Sequence, residues 1–353
     1  MKFNELSDIQ IRHLVDLRQV FETWRTAKRD LTHKYAGSMF WRAASGADYL
    51  KRKIGQVEKS LGRRSGETEE IYRLFTEGRD TARRRHDSLA ESVDLQASIA
   101  RTVGLGRVPP IVARLLRRFE EAELMGHVRV VGTNAMFAYE ALAGVMFSAE
   151  ALATGDIDLL IDARRQLKMV VDDGTERTIM GLLRTVDRSF EKVTGRTYRA
   201  VNKEGFMVDL IRPQPRPASK VEPGAQQLAA TDLDPSPIEG LQWLVNSPPV
   251  AALAIDGRGF PAPIVVADPR IWLLHKKWLS KRRMRDPDKK QRDAGQARLL
   301  WDLVSAKLPQ YPLDSDFLKT LPGPLKEAAA ELAGPPSAAA AGSEIWKPRH
   351  PSF

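Results

Sequence analysis

Two carboxylates one residue apart, Asp156 and Asp158 in TGDIDLLID, and a third, Asp209 in FMVDLIRP, sit inside runs otherwise built of apolar residues. Runs of this length and makeup read as buried strands. Side chains alternate along a strand, so Asp156 and Asp158 point one way and Ile157 the other, toward a core. Asp209 can join them if its strand is a neighbour in register. Carboxylates that converge repel and raise each other's pKa, and a bound cation relieves this. Ligands that are all oxygen favour Mg²⁺ or Mn²⁺ over zinc. Two such ions would serve a displacement in which one activates an attacking hydroxyl and the other neutralises a triphosphate and its leaving pyrophosphate. Asp156 and Asp158 would hold both ions. Asp209 would hold the ion nearest the acceptor and assist its deprotonation.

A second element stands upstream. In VRVVGTNAMFAYE an apolar strand runs into Gly132-Thr133 and then into a helix. Glycine lets the backbone approach a phosphate, the helix start presents free N–H groups, and Thr133 adds a hydroxyl. Alone, such a Gly-Thr is commonly a plain helix cap, and a lone Asp-Ile-Asp is often just a turn.

The elements that would position these residues follow in order. A helix over 111–124 precedes the strand 128–131. A helix over 134–142, a strand over 157–161 and a helix over 178–190 come next. TYRAVN, KEG and FMVDLI then read as strand, turn and strand. Phe137 and Tyr139 read as core. Residues 213–237 form a Pro-rich connection. From Pro269 the pattern is helical and basic, with a break near Asp286-Pro287. It holds Lys276, Lys277, Arg282 and Arg283, any of which could neutralise a phosphate or simply coat a helix. Lys290 and Asp293 lie at i and i+3, as in a surface pair. A last helix is expected over 318–332.

The first hundred residues read as helical and basic. An amphipathic stripe runs from Ile11 to Trp24, ADYLKRKIGQVEKSL is a second helix candidate, and Ser65 caps a helix from about Glu67. Arg83-Arg84-Arg85-His86 is either a solvated face or a contact surface for phosphate backbone. Trp41 reads as packing, with stacking on a base as the alternative. The expected organisation is a helical basic region (1–104), a core (105–265), a helical C-terminal region (266–332) and a mobile low-complexity tail (333–353).

Composition bounds the rest. The 353 residues carry a net charge of +10 and a pI near 9.7, which suits polyanionic partners. There is no cysteine, which excludes disulfides, thiol catalysis and cysteine-bound zinc. No apolar run has the length of a membrane span and no signal-peptide core is seen, so a cytoplasmic location is expected. The six histidines lack metal-binding spacing, and neither a Walker A sequence nor a G-x-S-x-G or H-E-x-x-H motif occurs.

In combination the weak signals become specific. A strand, Gly-Thr, a helix, then apolar-Asp-Ile-Asp-apolar and a later apolar-Asp-apolar resemble the polymerase β-type nucleotidyltransferase superfamily. Thr133 replaces the commoner Ser or Gly but keeps a hydroxyl. The long interval from Gly132 to Asp156 is similar to that in abortive-infection and toxin nucleotidyltransferases of bacteria. Closer still, SMFWRAASGADYL, KSLGRRSGETEEIY, VVGTNAMFAYE, TGDIDLL, NKEGFMVDLIRP and the HKKWLSKR…KKQRDAGQA region resemble a bacterial family of nucleotidyltransferase-fold proteins with no assigned substrate. These pieces span roughly residues 38–300. The resemblance implies an α+β fold, a polymerase β-like mixed sheet with helices, flanked by helical N- and C-terminal regions. It implies transfer of a nucleotidyl group from an NTP, with two Mg²⁺ or Mn²⁺ ions, to an acceptor hydroxyl. Lys276 would reach the nucleotide phosphates, with Lys277 and Arg282 as rivals, and a Lys-x-x-Asp like Lys290–Asp293 recurs in the toxin enzymes. The charge points to a nucleic-acid acceptor, a tRNA 3′ end first. The alternatives are a silent nucleic-acid-binding module and nucleotidylation of a protein.

Overall fold

The computed structural model describes residues 3–162, 178–215 and 232–334. Strand β1 (Phe3–Glu5) leads into helix α1 (Asp8–Arg29), which Ser7 and Gln10 start with a capping box. A π-type turn, Asp30–Lys34, passes the chain to β2 (Ser38–Ala44), β3 (Ala47–Ile54) and β4 (Val57–Arg63). These three form an antiparallel meander. Here the expected helix over ADYLKRKIGQVEKSL is corrected to strands. The reason is local. Two-residue turns at Ser45-Gly46 and Gly55-Gln56 take positive φ at Ser45, Gly46 and Gly55, the backbone that tight hairpins require. Between them Leu50 and Arg52 face one side while Tyr49, Lys51 and Lys53 face the other, a period of two.

Helix α2 (Gly66–Thr102) begins as expected, with Ser65 and Thr68 in a second capping box. Its six arginines are outnumbered by eight acidic residues, and Arg73 is paired with Glu70 and Glu77, so much of this helix is a solvated, charge-balanced face. Its C-terminal end and the start of α1 bury Leu14, Leu17 and Ala100 against Leu105 and Ile255.

Helix α3 (Pro110–Glu121) opens the α/β part, with Pro110 in the first turn, where a missing N–H costs nothing. Strand β5 (Val128–Val131), a short 3₁₀ turn, α4 (Met136–Ala143), β6 (Val145–Phe147), α5 (Ala149–Leu152) and β7 (Asp156–Ile161) follow. Then come α6 (Ile179–Val186), β8 (Glu191–Val193), β9 (Arg196–Val201), β10 (Met207–Pro213) and β11 (Ser236–Ile238). The central mixed sheet has the order β5-β7-β10-β9-β8, and β11 pairs with the C-terminal end of β10. β7 is antiparallel to β5 and parallel to β10. Ile157, Leu159, Leu160, Val208 and Leu210 are buried in the main core, as the apolar runs require. Tyr139 is buried there too, its hydroxyl donating to Ala267 at 3.0 Å.

Helix α7 (Leu241–Asn246) and the hairpin β12 (Val250–Ile255) and β13 (Pro261–Val266) complete that part. Helices α8 (Pro269–Leu279) and α9 (Pro287–Lys307) are broken where Asp286-Pro287 predicts. The expected last helix divides into α10 (Ser315–Thr320) and α11 (Gly323–Ala333), because Pro322 cannot donate the N–H that would join them. Most of the Pro-rich connection and the tail from residue 335 lie outside the described residues. Among the described residues no helix is long and apolar enough to cross a membrane.

Candidate active site

The strand register builds the site. In the parallel pair Asp156 stands opposite Met207 and Asp158 opposite Asp209, while on the other side Val131 faces Asp158. The residue after Val131 is therefore delivered to the Asp158 carboxylate. That residue is Gly132, with φ +64° and ψ −155°, a backbone conformation reserved for glycine. A Cβ there would overlap Asp158 Oδ2 and stand 3.1 Å from its Cγ. Gly132 is thus needed twice, for the turn and for the close approach of a carboxylate.

Asp158 has its pKa raised to about 6. Burial is the largest cause, followed by the charges of Asp156 and Asp209, while Lys276 and Arg285 act the other way. The three predicted carboxylates are therefore close enough to feel one another. Asp156 accepts from the Thr154 hydroxyl, and its backbone oxygen accepts from Asn134 Nδ2 at 2.6 Å. Asp209 is buried and engaged by Arg199, its neighbour on β9, through two bonds of 2.6 Å from Nε and Nη2. This pairing raises the Arg199 pKa, the hydrogen bonds to Asp209 contributing most.

The counter-charge comes from α8 and from the turn that leads to α9. Lys276 is buried and donates to Asp293 Oδ1 at 2.8 Å. Arg285 closes on the other oxygen from Nε at 2.9 Å and Nη2 at 2.7 Å. Burial lowers the Lys276 pKa, against the charge and hydrogen bond of Asp293 that raise it. The expected Lys290–Asp293 surface pair is corrected. Asp293 is fully buried under Lys276 and Arg285, and Lys290 Nζ donates instead to the Arg283 carbonyl at 3.4 Å. One turn on, Gln296 Nε2 donates to Thr133 Oγ1 at 3.2 Å and to the Ala151 carbonyl at 2.9 Å, tying α9 to the Gly-Thr turn. The remaining amide oxygens, Asn134 Oδ1 and Gln296 Oε1, are buried without a partner among the described residues, so polar capacity is left over beside that turn.

Sequence reasoning named Gly132, Thr133, Asp156, Asp158, Asp209 and Lys276, and these stand around the ends of β5, β7 and β10 and the buried face of α8. Lys277 is 3.2 Å from Glu331, and Arg282 lies over the Trp278 ring and pairs with Glu239, so neither ion pair involves the carboxylates. Arg199, Arg285, Asn134 and Gln296 were missed. For Gln296 a signal existed: Asp293, Gln296, Ala297 and Leu300 fall at i, i+3, i+4 and i+7, the inward stripe of α9.

The donor set fits a hard divalent cation in chemistry, since burial first, and then two acidic neighbours, raise the pKa of Asp158. Among the described residues, no three acidic or histidine side chains are grouped as a ready metal cage, and Asp209 faces Arg199. Arg199 therefore acts as the counter-ion of Asp209 in this arrangement, and a metal taken by that carboxylate would have to displace it.

A family model described as nucleotidyltransferase matches residues 111–322, from the first turn of α3 to the proline between α10 and α11. Neither curated proteins nor solved structures give a match. The match takes in the Gly-Thr turn, all three aspartates and the Lys276–Asp293–Arg285 group, and covers more than half of the chain. On that extent and on the geometry it encloses, the chain belongs to the nucleotidyltransferase family.

Proposed function

We propose that the chain transfers a nucleoside monophosphate from an NTP to a hydroxyl of a nucleic-acid acceptor, with Mg²⁺ or Mn²⁺ held by Asp156, Asp158 and Asp209. The observation that carries this is Asp158. It is wedged against Gly132, in register with Asp209, and its pKa is raised to about 6 by burial and by its two acidic neighbours. When bound, the metal would supply charge neutralisation and a more acidic attacking hydroxyl.

The chain's own groups do the remainder. The backbone at Gly132 and the Thr133 hydroxyl face the phosphates. Lys276, oriented by Asp293, gives positive charge on the side of the leaving pyrophosphate. Asp209, once released by Arg199, accepts the proton of the attacking hydroxyl. A bond forms from that oxygen to the α-phosphorus, the bond from the α-phosphorus to the bridging oxygen breaks, and pyrophosphate leaves. Lys277 and Arg282 serve as outer contacts to the NTP or acceptor. The charge of +10 favours nucleic acid, with a tRNA 3′ end as the first candidate. A toxin or defence role and a cytoplasmic location extend this reading by resemblance and composition.

Incubation with α-labelled NTPs, Mg²⁺ or Mn²⁺, and either total RNA or total protein tests the proposal. Label is expected in RNA. Label confined to protein would move the function to protein nucleotidylation, and label in neither, with both metals tried, would leave a binding module.

A further inference from the structure

The meander β2–β4 has two unlike faces. One packs on α2: Leu50 is fully buried, Trp41 meets the Tyr72 ring at 5.9 Å, and Arg52 lies 5.1 Å over Phe75. The other face carries two rings, Phe40 and Tyr49, and four cations, Arg42, Lys51, Lys53 and Arg63. Register alternates them across strands: Phe40 is opposite Lys51, Tyr49 lies between Arg42 and Arg63, and Lys53 ends the row. Among the described residues of the meander, Glu58 is the single acidic residue on that face. Arg42 reaches it at 3.0 Å and Lys51 at 3.6 Å, leaving Lys53 and Arg63 exposed. Both rings are half-buried, with Arg42 5.6 Å over Phe40.

We infer that this outer face of the meander binds single-stranded nucleic acid, stacking bases on Phe40 and Tyr49 and neutralising phosphates with Arg42, Lys51, Lys53 and Arg63. The two rings stand on diagonal neighbours of adjacent strands, positions about 7–8 Å apart in paired strands generally, which suits successive nucleotides. Each ring has a cation beside it, the combination that sequence-tolerant single-strand binding uses. Charge selects the occupant, with four cations against one carboxylate.

Placement supports the same occupant. Helix α2 touches the meander at Tyr72 and enters the body near Ala97, where Gly259 of the β12–β13 turn is pressed against the Ala97 carbonyl. At 1.5 Å per residue the interval is about 40 Å. The meander and α2 also lie outside the family-matched residues 111–322. The face therefore lies outside the matched residues, set far enough out along the helix that a chain molecule suits it better than a small acceptor. The inference rests on the nucleic-acid acceptor proposed above and assigns where that acceptor is gripped.

The test is fluorescence anisotropy of the full chain with a labelled single-stranded oligouridylate of about a dozen nucleotides, and with a duplex of equal length. Phe40→Ala and Tyr49→Ala are each expected to weaken single-strand binding about tenfold. Lys51→Gln with Lys53→Gln is expected to lower the slope of log affinity against log salt by about 1.4. The duplex, whose bases are not free to stack, is expected to bind more weakly and to ignore the ring substitutions. Unchanged single-strand binding in the ring variants, or equal ring-independent binding of duplex, overturns the inference. Photocrosslinking of 4-thiouridine oligonucleotide to the unsubstituted chain is an independent arm, since crosslinks mapping only outside β2–β4 also overturn it. Binding of a fluorescent NTP separates the two readings. Ring variants that keep NTP binding but lose oligonucleotide support the face. A chain that binds oligonucleotide through the rings but never transfers label supports the face while sinking the proposed activity.

Discussion

Replacing Gly132 with alanine isolates the contact on which the site depends. The backbone there, φ +64° and ψ −155°, costs any other residue about 1–3 kcal/mol. The new Cβ would also overlap Asp158 Oδ2, so the carboxylate must leave its rotamer, at about 0.5–1.5 kcal/mol more. β7 cannot move away, because β5 holds it on one side and β10 on the other. The expected total is about 1.5–4.5 kcal/mol of lost stability. The two parts separate in a double-mutant cycle. In an Asp158→Ala background the overlapping atoms are gone and only the backbone cost is left. Urea unfolding of the four proteins, in chelator at neutral pH, should give a coupling of about 1 kcal/mol. If Gly132→Ala costs the same in both backgrounds to within about 0.3 kcal/mol, the placement of Asp158 against Gly132 is wrong.

Two further outcomes follow from the buried groups of α8 and α9. Asp293→Ala leaves Lys276 buried without its 2.8 Å partner and removes both bonds from Arg285, and is expected to destabilise the fold by about 3–5 kcal/mol in thermal or urea unfolding. A cost under about 1 kcal/mol would mean the cations find water. His275 is buried, its Nε2 has no hydrogen-bond partner among the described residues, and it packs among Trp243 and Trp278. Burial first, and then the Lys276 charge, push its pKa down to about 3, with Asp293 opposing and Arg285 assisting. A depressed histidine pKa gives stability that is full above its unfolded value and is lost as pH falls toward the folded value. Between about pH 6.5 and 4.5 the loss is about 2 kcal/mol. His275→Phe should flatten that part of the stability–pH curve, and an unchanged slope would show that His275 is not held neutral.

What could be read in advance, and what could not, divides by the range of the interaction. Asp156, Asp158 and Asp209 stood out because a carboxylate in an apolar strand is costly without a partner. The strand order β7-β10 then needed only the parallel register that the intervening chain allows. Gly132 was legible as a glycine before a helix, though its approach to Asp158 depends on the antiparallel pairing of β5 with β7. Arg199 was hidden because its partner is assigned by the β9–β10 register, not by local spacing. Asp293 was misread because Lys290 is its neighbour in sequence while Lys276 and Arg285 are its partners in space. The meander escaped because Lys, Arg, Leu and Gln all favour helices, and that average masked the alternation between the glycine turns. The same masking hid the ring-and-cation face, which exists only once the three strands are side by side.

In the proposed function the carboxylates gathered at β7 and β10 carry the transfer. The most direct measurement is the rate of label transfer from α-labelled NTP to RNA, with Mg²⁺ or Mn²⁺, for the unchanged chain and for Asp158→Asn and Asp209→Asn. A loss of about a hundredfold or more is expected in each variant, with folding intact by circular dichroism. Either variant transferring label at the rate of the unchanged chain would contradict it.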